Sequence, residues 1–325
     1  MTYPGISGNY IILVGEKDFR GIITMLFEQI AHNRRNTRIV VALFSILLLA
    51  VTIFLAYFNI YLALVVLLTG IIYVTYNYYH VTRYLMKVTN AQEVSAKTDP
   101  QLYKIVEELC LAGGLPMPKV YIDPDPLPNA YATGRDPEHA SLAVTQGLLD
   151  IMDKHELAGV IGHELSHIRN YDTKLTSLTN IMLTFLVGLG LGILSIGVGL
   201  FTIDGNGLLT WLIRAFGLIV LGIGLAICLV AIPLGKILYF MLSRQREYLA
   251  DAGSVDLTRD PSGLISALEK LRDPQLAPVP SKNMTLNNLY FNGPKKSNIL
   301  ARLFDDHPAL DKRIARLKEP ASSGE

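Results

Sequence analysis

Two pairs of long apolar runs divide an otherwise mixed chain. Residues 39–58 and 60–79 are nearly free of polar interruption and meet at Asn59. Each is about 20 residues long, enough to cross a hydrocarbon core of roughly 30 Å. A third run, 175–201, is rich in glycine, and a fourth covers 215–239. This pattern predicts four transmembrane helices in two hairpins. Gly188 and Gly192 have the small-xxx-small spacing that lets helices approach closely, and Pro233 is placed to kink the fourth span. Before the first span, Phe19, Ile22, Ile23, Leu26, Phe27 and Ile30 share one face of an amphipathic helix, which lies on the membrane surface or docks on the rest of the protein.

The segments between the hairpins have shorter periods. Residues 84–174 form a stretch of roughly 90 residues, too small for a sizeable core alone, so they are expected to fold with 240–325. Thr98 or Asp99 can cap a helix with Pro100 in its first turn; Leu102, Ile105, Val106 and Leu109 give it an apolar face, and Gly113-Gly114 ends it. Stretches 119–123, 130–134 and 141–145 read as short strands set apart by Pro and Gly. Helical spacing returns with Leu157, Ala158, Val160, Ile161, Leu165 and Ile168. The expected organisation is an arm at 1–38, a hairpin at 39–79, the first part of an α+β domain at 84–174, a second hairpin at 175–239, and the rest of the domain at 240–325. The fold class is a mainly α integral membrane protein with a small sheet.

Composition supports membrane insertion. Half the residues are hydrophobic and the mean hydropathy is +0.34, high for a soluble domain. Arg34, Arg35, Arg38, Arg83, Lys87, Arg169, Lys174, Lys236, Arg244 and Arg246 flank one set of span ends, while Arg214 alone lies near the 204–207 linker. The positive-inside rule then places both termini and the α+β domain in the cytoplasm. Tyr73, Tyr76, Tyr78, Tyr79 and Tyr84 suit an aromatic belt at that interface. The start of the chain lacks the basic region and cleavage-like site of a signal peptide. A net charge of +1 gives no basis for nucleic-acid binding. Cys110 and Cys228 supply neither a disulfide framework nor zinc-knuckle spacing, and read as packing residues.

The chemistry concentrates at 163–167, HELSH. On a helix, His163 and His167 share one face, close enough to bind one Zn²⁺, and Glu164 beside them can act as a general base toward a water near the metal. Lys154-His155-Glu156 begins like the motif but has Gly159 at the second ligand position, so His155 reads as a helix-start residue. A catalytic zinc site usually takes three protein ligands. Asn170 and Thr173 stand where a metzincin continuation needs Gly and His, so a distant carboxylate is required. Glu247, in SRQREYLADAG just after the fourth run, is the best-placed candidate; the competing reading is an ion pair with Arg244 or a phospholipid-facing role. Asp251, one turn on, can accept a hydrogen bond from a ligand histidine's second nitrogen. Asn170 and Asp172 read as anchors of the helix end.

Three blocks together resemble the HtpX-type membrane zinc metalloproteases, relatives of the CAAX prenyl proteases: NAYATG at 129–134, HELSHIRNYD at 163–172 and SRQREYLADAG at 243–253. The likeness extends to DHPAL at 306–310 and RIARL at 313–317. The resemblance implies a cytoplasmic, gluzincin-like zinc protease domain, one Zn²⁺ with Glu247 as third ligand, and an endopeptidase acting on unfolded or misfolded membrane proteins in quality control. It also implies that Asn129, Ala130, Tyr131 and Ala132 belong to a substrate-binding edge strand. His307 is either an oxyanion donor or a helix-start packing residue. Two rival functions stay open: a CAAX-type processing protease, and a non-catalytic membrane scaffold with a metal site. The arm at 19–30 departs from the family pattern, as does the Pro- and Asn-rich stretch 273–297 with Leu289, Tyr290 and Phe291, a lid or a surface loop.

Overall fold

The computed structural model describes residues 16–241, 245–272 and 310–318. Its elements are α1 (Glu16–Phe58), α2 (Ile60–Val88), β1 (Gln92–Val94), α3 (Pro100–Gly113), β2 (Lys119–Asp123), β3 (Ala130–Gly134), β4 (Ala140–Thr145), α4 (Gln146–Ile151), α5 (Lys154–Arg169), α6 (Asp172–Phe201), α7 (Leu208–Met241), α8 (Gln245–Thr258), α9 (Ser262–Leu271) and α10 (Leu310–Lys318). They fall into two compact units, one of Arg38–Tyr78 with Leu178–Met241, the other of Met1–Thr37, Tyr79–Ser177 and Leu242–Glu325.

Among the described residues four helices are long and apolar enough to cross a membrane, over Ile30–Tyr57, Ile60–Val88, Asp172–Phe201 and Leu208–Ala231. The stretch 19–30 and the first apolar run lie on one continuous helix, α1. Asn59 makes the turn into α2, its Oδ1 accepting from the N–H groups of Tyr61 at 2.9 Å and Leu62 at 3.1 Å, which caps the helix. The last apolar helix starts at Leu208, ahead of the stretch 215–239. Leu208, Leu209, Trp211 and Leu212 extend the run, and Arg214 does not end it because its Nε donates back to the Ile203 carbonyl at 3.0 Å. Within this unit Phe185 packs against Phe44 and Tyr73, with ring centroids 6.0 and 5.4 Å away. The small-residue pair Gly188 and Gly192 faces no neighbour within 4 Å; close approach occurs instead at Gly197, where a Cβ would collide with the Leu221 backbone. The Gly188 and Gly192 spacing therefore does not mark the contact; the helix presents another of its glycine faces.

In the other unit the sheet order is β1-β2-β4-β3, with β2 and β4 parallel and the outer pairs antiparallel. Strand β1, only three residues long, has too few positions to show a period. Asp99 caps α3 by accepting from Leu102 N at 2.9 Å, and Gly114 ends it in the left-handed region at φ 60°. One core joins both chain segments, with Leu102, Ile105, Leu142, Leu148, Ile161, Leu264, Leu268 and Ile314 all buried in it. This is how two short segments solve the surface-to-volume problem neither solves alone.

Helix α5 runs through that core, fixed at both ends. Asp153 and Glu156 form a capping box at its start. The buried Glu156 carboxylate also takes hydrogen bonds from Ser266 and Lys270 of α9, each 2.6 Å long. Burial pushes this carboxyl up, but the bonds from Lys270, Ser266 and the Asp153 N–H hold it below its ordinary value. Along its length α5 packs on α8, where Ser254 Oγ donates to Gly159 O at 2.6 Å. A Cβ at Gly253 would fall inside contact distance of Ser166. Small residues here let α8 lie close enough for its carboxylates to reach the α5 histidines.

Candidate metal centre

His163 and His167 sit one turn apart on α5, and α8 presents Glu247 to them. One ligand atom from each of the three lies within 4.8 Å of the others. The Nε2 atoms of the two histidines are 3.1 Å apart, and Glu247 places Oε2 at 3.7 Å from His163 Nε2 and Oε1 at 3.8 Å from His167 Nε2. A tetrahedral zinc with bonds of about 2.0–2.1 Å sets its donors roughly 3.3 Å apart. These distances bracket that spacing, with Glu247 offering a different oxygen to each histidine, so the residues fit the ion without a large rearrangement.

Each imidazole is oriented through its other nitrogen. His163 Nδ1 is 3.0 Å from Asp251 Oδ1, and His167 Nδ1 is 2.8 Å from Asp172 Oδ2. A carboxylate at Nδ1 holds the proton there and turns the Nε2 lone pair toward the shared centre. Two lone pairs facing each other at 3.1 Å repel unless positive charge lies between them. The electrostatics show the same demand. Burial and the Arg313 charge push the His163 pKa down, yet the bonds to Asp251 and Glu247 outweigh them and lift it to about 9. A divalent cation satisfies that demand with more charge than a proton.

Asp251 is itself clamped by Arg313 of α10, which donates from Nε at 2.9 Å and from Nη2 at 2.5 Å. Arg313 is completely buried, and its Nη1 also lies 3.9 Å from Glu247 Oε2. Burial alone would lower this guanidinium's pKa, but Asp251, then Glu247 and Glu164, raise it and keep it charged. Burial likewise pushes Asp251 up, and Arg313 with His163 holds it below the carboxylate range. Glu164, next to His163, is also buried.

Asp172 has a larger part than that of a helix-end anchor. Tyr171, at φ 63°, reverses the chain between α5 and α6 and brings Asp172 under His167. Neither Arg313 nor Asp172 stood out as a site residue in the sequence. The signal available for Asp172 was its position five residues after a ligand histidine; Arg313 carried none beyond the RIARL resemblance.

The residues 129–132 lie where β3 begins. Among the described residues strand β3 is an edge of the sheet, and it packs on α5. Ala130 and Ala132 join the main core, whereas Tyr131 belongs to a separate cluster with Leu85 and Met86. The Tyr131 hydroxyl donates to Asp123 at 2.8 Å. Thr145 anchors Asn129, accepting from its N–H at 2.7 Å and donating to its carbonyl at 2.9 Å. The side chains of Ala130, Tyr131 and Ala132 are committed to packing, so what they leave to offer outward is the backbone edge. His307 and the stretch 273–297 lie outside the described residues. Asp136, Glu138 and His139 form a second, more exposed group, but Asp136 is occupied there in capping the short turn at His139.

Four apolar helices among the described residues, with a dihistidine–glutamate cluster and Glu164 beside it, are the features of a multi-pass membrane protein of the metallopeptidase class. The model of peptidase family M48 matches residues 96–321. Curated relatives match nearly end to end: the protease HtpX homologue of Lactobacillus helveticus strain DPC 4571 is 39% identical over 303 residues, covering 91% of this chain and all of that one. The homologue of Streptococcus pyogenes serotype M28 is 38% identical, covering 90% and 99%. Among solved structures, that of S. mikatae Ste24p overlaps 79% of this chain and 57% of its own, with a TM-score of 0.48 at 17% identity. The chain belongs to peptidase family M48, as an HtpX-type membrane metalloprotease. Membership implies a metal, typically zinc.

Proposed function

We propose that this protein is a zinc-dependent metalloendopeptidase of the membrane that cleaves unfolded or damaged membrane proteins, with its catalytic centre and both termini in the cytoplasm. The observation that carries the reading is the convergence of His163, His167 and Glu247 on one buried point, with Glu164 adjacent. Zinc bound there would polarise a peptide carbonyl and lower the pKa of water to about 7. Asp251 and Asp172 hold the two imidazoles with Nε2 facing inward. Glu164 accepts a proton from the attacking water and returns it to the leaving amine, a role worth about 10² to 10⁴ in rate. Asn129 to Ala132 would bind substrate through the backbone of β3, which pairs with an extended chain and leaves sequence preference loose. The cluster of arginines and lysines at one set of span ends supports the cytoplasmic placement.

Glu164→Gln tests the mechanism. The full-length variant should keep its zinc and lose cleavage of an unfolded membrane substrate by at least about 10². Undiminished cleavage by the zinc-loaded variant would refute the assignment, and cleavage absent from both proteins would favour a metal-binding scaffold.

A further inference from the structure

We infer that Asn33, on the N-terminal helix α1, is a positioning residue for the metal centre, acting on His167 through Asp172. This rests on the ligand set proposed above and extends it to a part of the chain that contributes no ligand. The Asn33 side-chain amide donates twice, at 2.7 Å to Asp172 Oδ1 and at 2.9 Å to the carbonyl of Asn170. Asp172 then receives His167 Nδ1 on its other oxygen at 2.8 Å. One asparagine thereby fixes both the carboxylate that orients His167 and the end of the helix that carries it.

Asn33 is only 3% exposed. A buried amide is costly unless its hydrogen bonds are made, and an apolar side chain would suit a packing role better at this site. Asp172 accepts from two donors on opposite oxygens, so its plane is set by Asn33 and His167 together. Without the amide, Asp172 loses the restraint on Oδ1 and can turn away from Nδ1. The span candidate Ile30–Tyr57 includes Asn33, so the same helix that runs on into the first apolar stretch also holds a metal ligand's partner. A slip of α1 by one residue, about 1.5 Å along its axis, would break a 2.7 Å hydrogen bond.

The test uses the full chain in detergent, with zinc affinity measured by chelator competition and the ligand field read from the visible spectrum of the Co²⁺-substituted protein. Asn33→Leu keeps the shape and removes the donors; Asn33→Asp keeps the shape and turns the donor into an acceptor facing Asp172. Outer partners of metal-bound histidines are typically worth 10- to 100-fold in affinity. Asn33 stands one link further out, so Asn33→Leu should weaken zinc by about tenfold and Asn33→Asp by more, both with an altered Co²⁺ spectrum. Thr37→Ala is the control: it removes a bond of 2.8 Å to the Asn33 carbonyl but leaves the amide in place, and should bind zinc normally. Wild-type affinity and spectrum in both Asn33 variants overturn the inference, as does an equal loss in Thr37→Ala, which would mark a packing effect. Glu247→Ala is run beside them. If it loses zinc while the Asn33 variants do not, only this inference fails; if it keeps zinc, the ligand set fails and this inference with it.

Discussion

Arg313→Met removes a fully buried cation from between two carboxylates, and the structure sets the size of the effect. The guanidinium makes two hydrogen bonds to Asp251 and faces Glu247 across 3.9 Å. Methionine fills most of the volume but leaves the carboxylates without that charge. Breaking a buried pair by deleting one partner costs about 3–5 kcal/mol, more than the intact pair contributes, because the remaining charge stays buried. For a folded unit of roughly 200 residues this corresponds to a fall in melting temperature of about 6–20 °C. Among the described residues, the other ion pairs of α10 are exposed: Arg272 with Asp311 at 2.8 Å and Lys318 with Glu269 at 2.6 Å. Surface pairs contribute about 0–1 kcal/mol each, so Arg272→Ala should change little. Arg313→Lys should be intermediate, since an ammonium cannot reproduce the fork to both Asp251 oxygens. The assay is thermal unfolding of the full chain in detergent with and without added zinc, read by intrinsic fluorescence. The zinc-loaded Arg313→Met protein should recover part of the loss, because the ion adds positive charge to the same anionic group. A melting temperature for Arg313→Met within about 2 °C of wild type would refute the claim that this buried arginine holds the centre together.

Two further outcomes are expected. Gly253→Ala places a methyl group against the buried Ser166, which should push α8 from α5, destabilise the protein by about 1–3 kcal/mol and weaken zinc binding; chelator competition and unfolding checks both, and unchanged affinity counts against the packing argument. Glu156 has a lowered pKa in the folded protein, so its contribution is present above the unfolded value of about 4.3 and is lost as pH falls through the folded value. Glu156→Gln should therefore be less stable than wild type at pH 7 and lose less stability below about pH 4.3. Parallel acid-unfolding profiles for the two proteins would contradict this.

How much of this was legible in the sequence depends on range. The cap at Asp99, the turn at Gly114 and strands β2 to β4 follow from local period and punctuation, with strand ends within a residue of those the residues suggested; the four apolar helices follow from hydropathy, but α1, α2 and α7 run well beyond the apolar stretches. Strand β1 is too short to show a period, and α7 begins at Leu208 rather than near 215 because Leu208, Leu209, Trp211 and Leu212 carry the apolar run ahead of Arg214. At the site, His163, Glu164 and His167 were readable as a group because one helical turn brings them together. Asp172 was misread because a reversal at Tyr171 decides whether its side chain turns toward His167 or toward solvent. Arg313 and Asn33 could not be found by spacing, since they meet the centre from α10 and α1, far along the chain. A sequence states a neighbour four residues away far more clearly than one brought in by folding.

X-ray absorption at the zinc edge, with metal content measured on the same samples, is the direct test of the three-residue ligand set. Wild-type protein should hold one zinc with two imidazoles and a carboxylate oxygen at about 2.0–2.2 Å, and Glu247→Ala should lose the metal or show only the imidazoles and solvent. Full zinc content with an unchanged coordination shell in Glu247→Ala would contradict the assignment of Glu247 and, with it, the proposed centre.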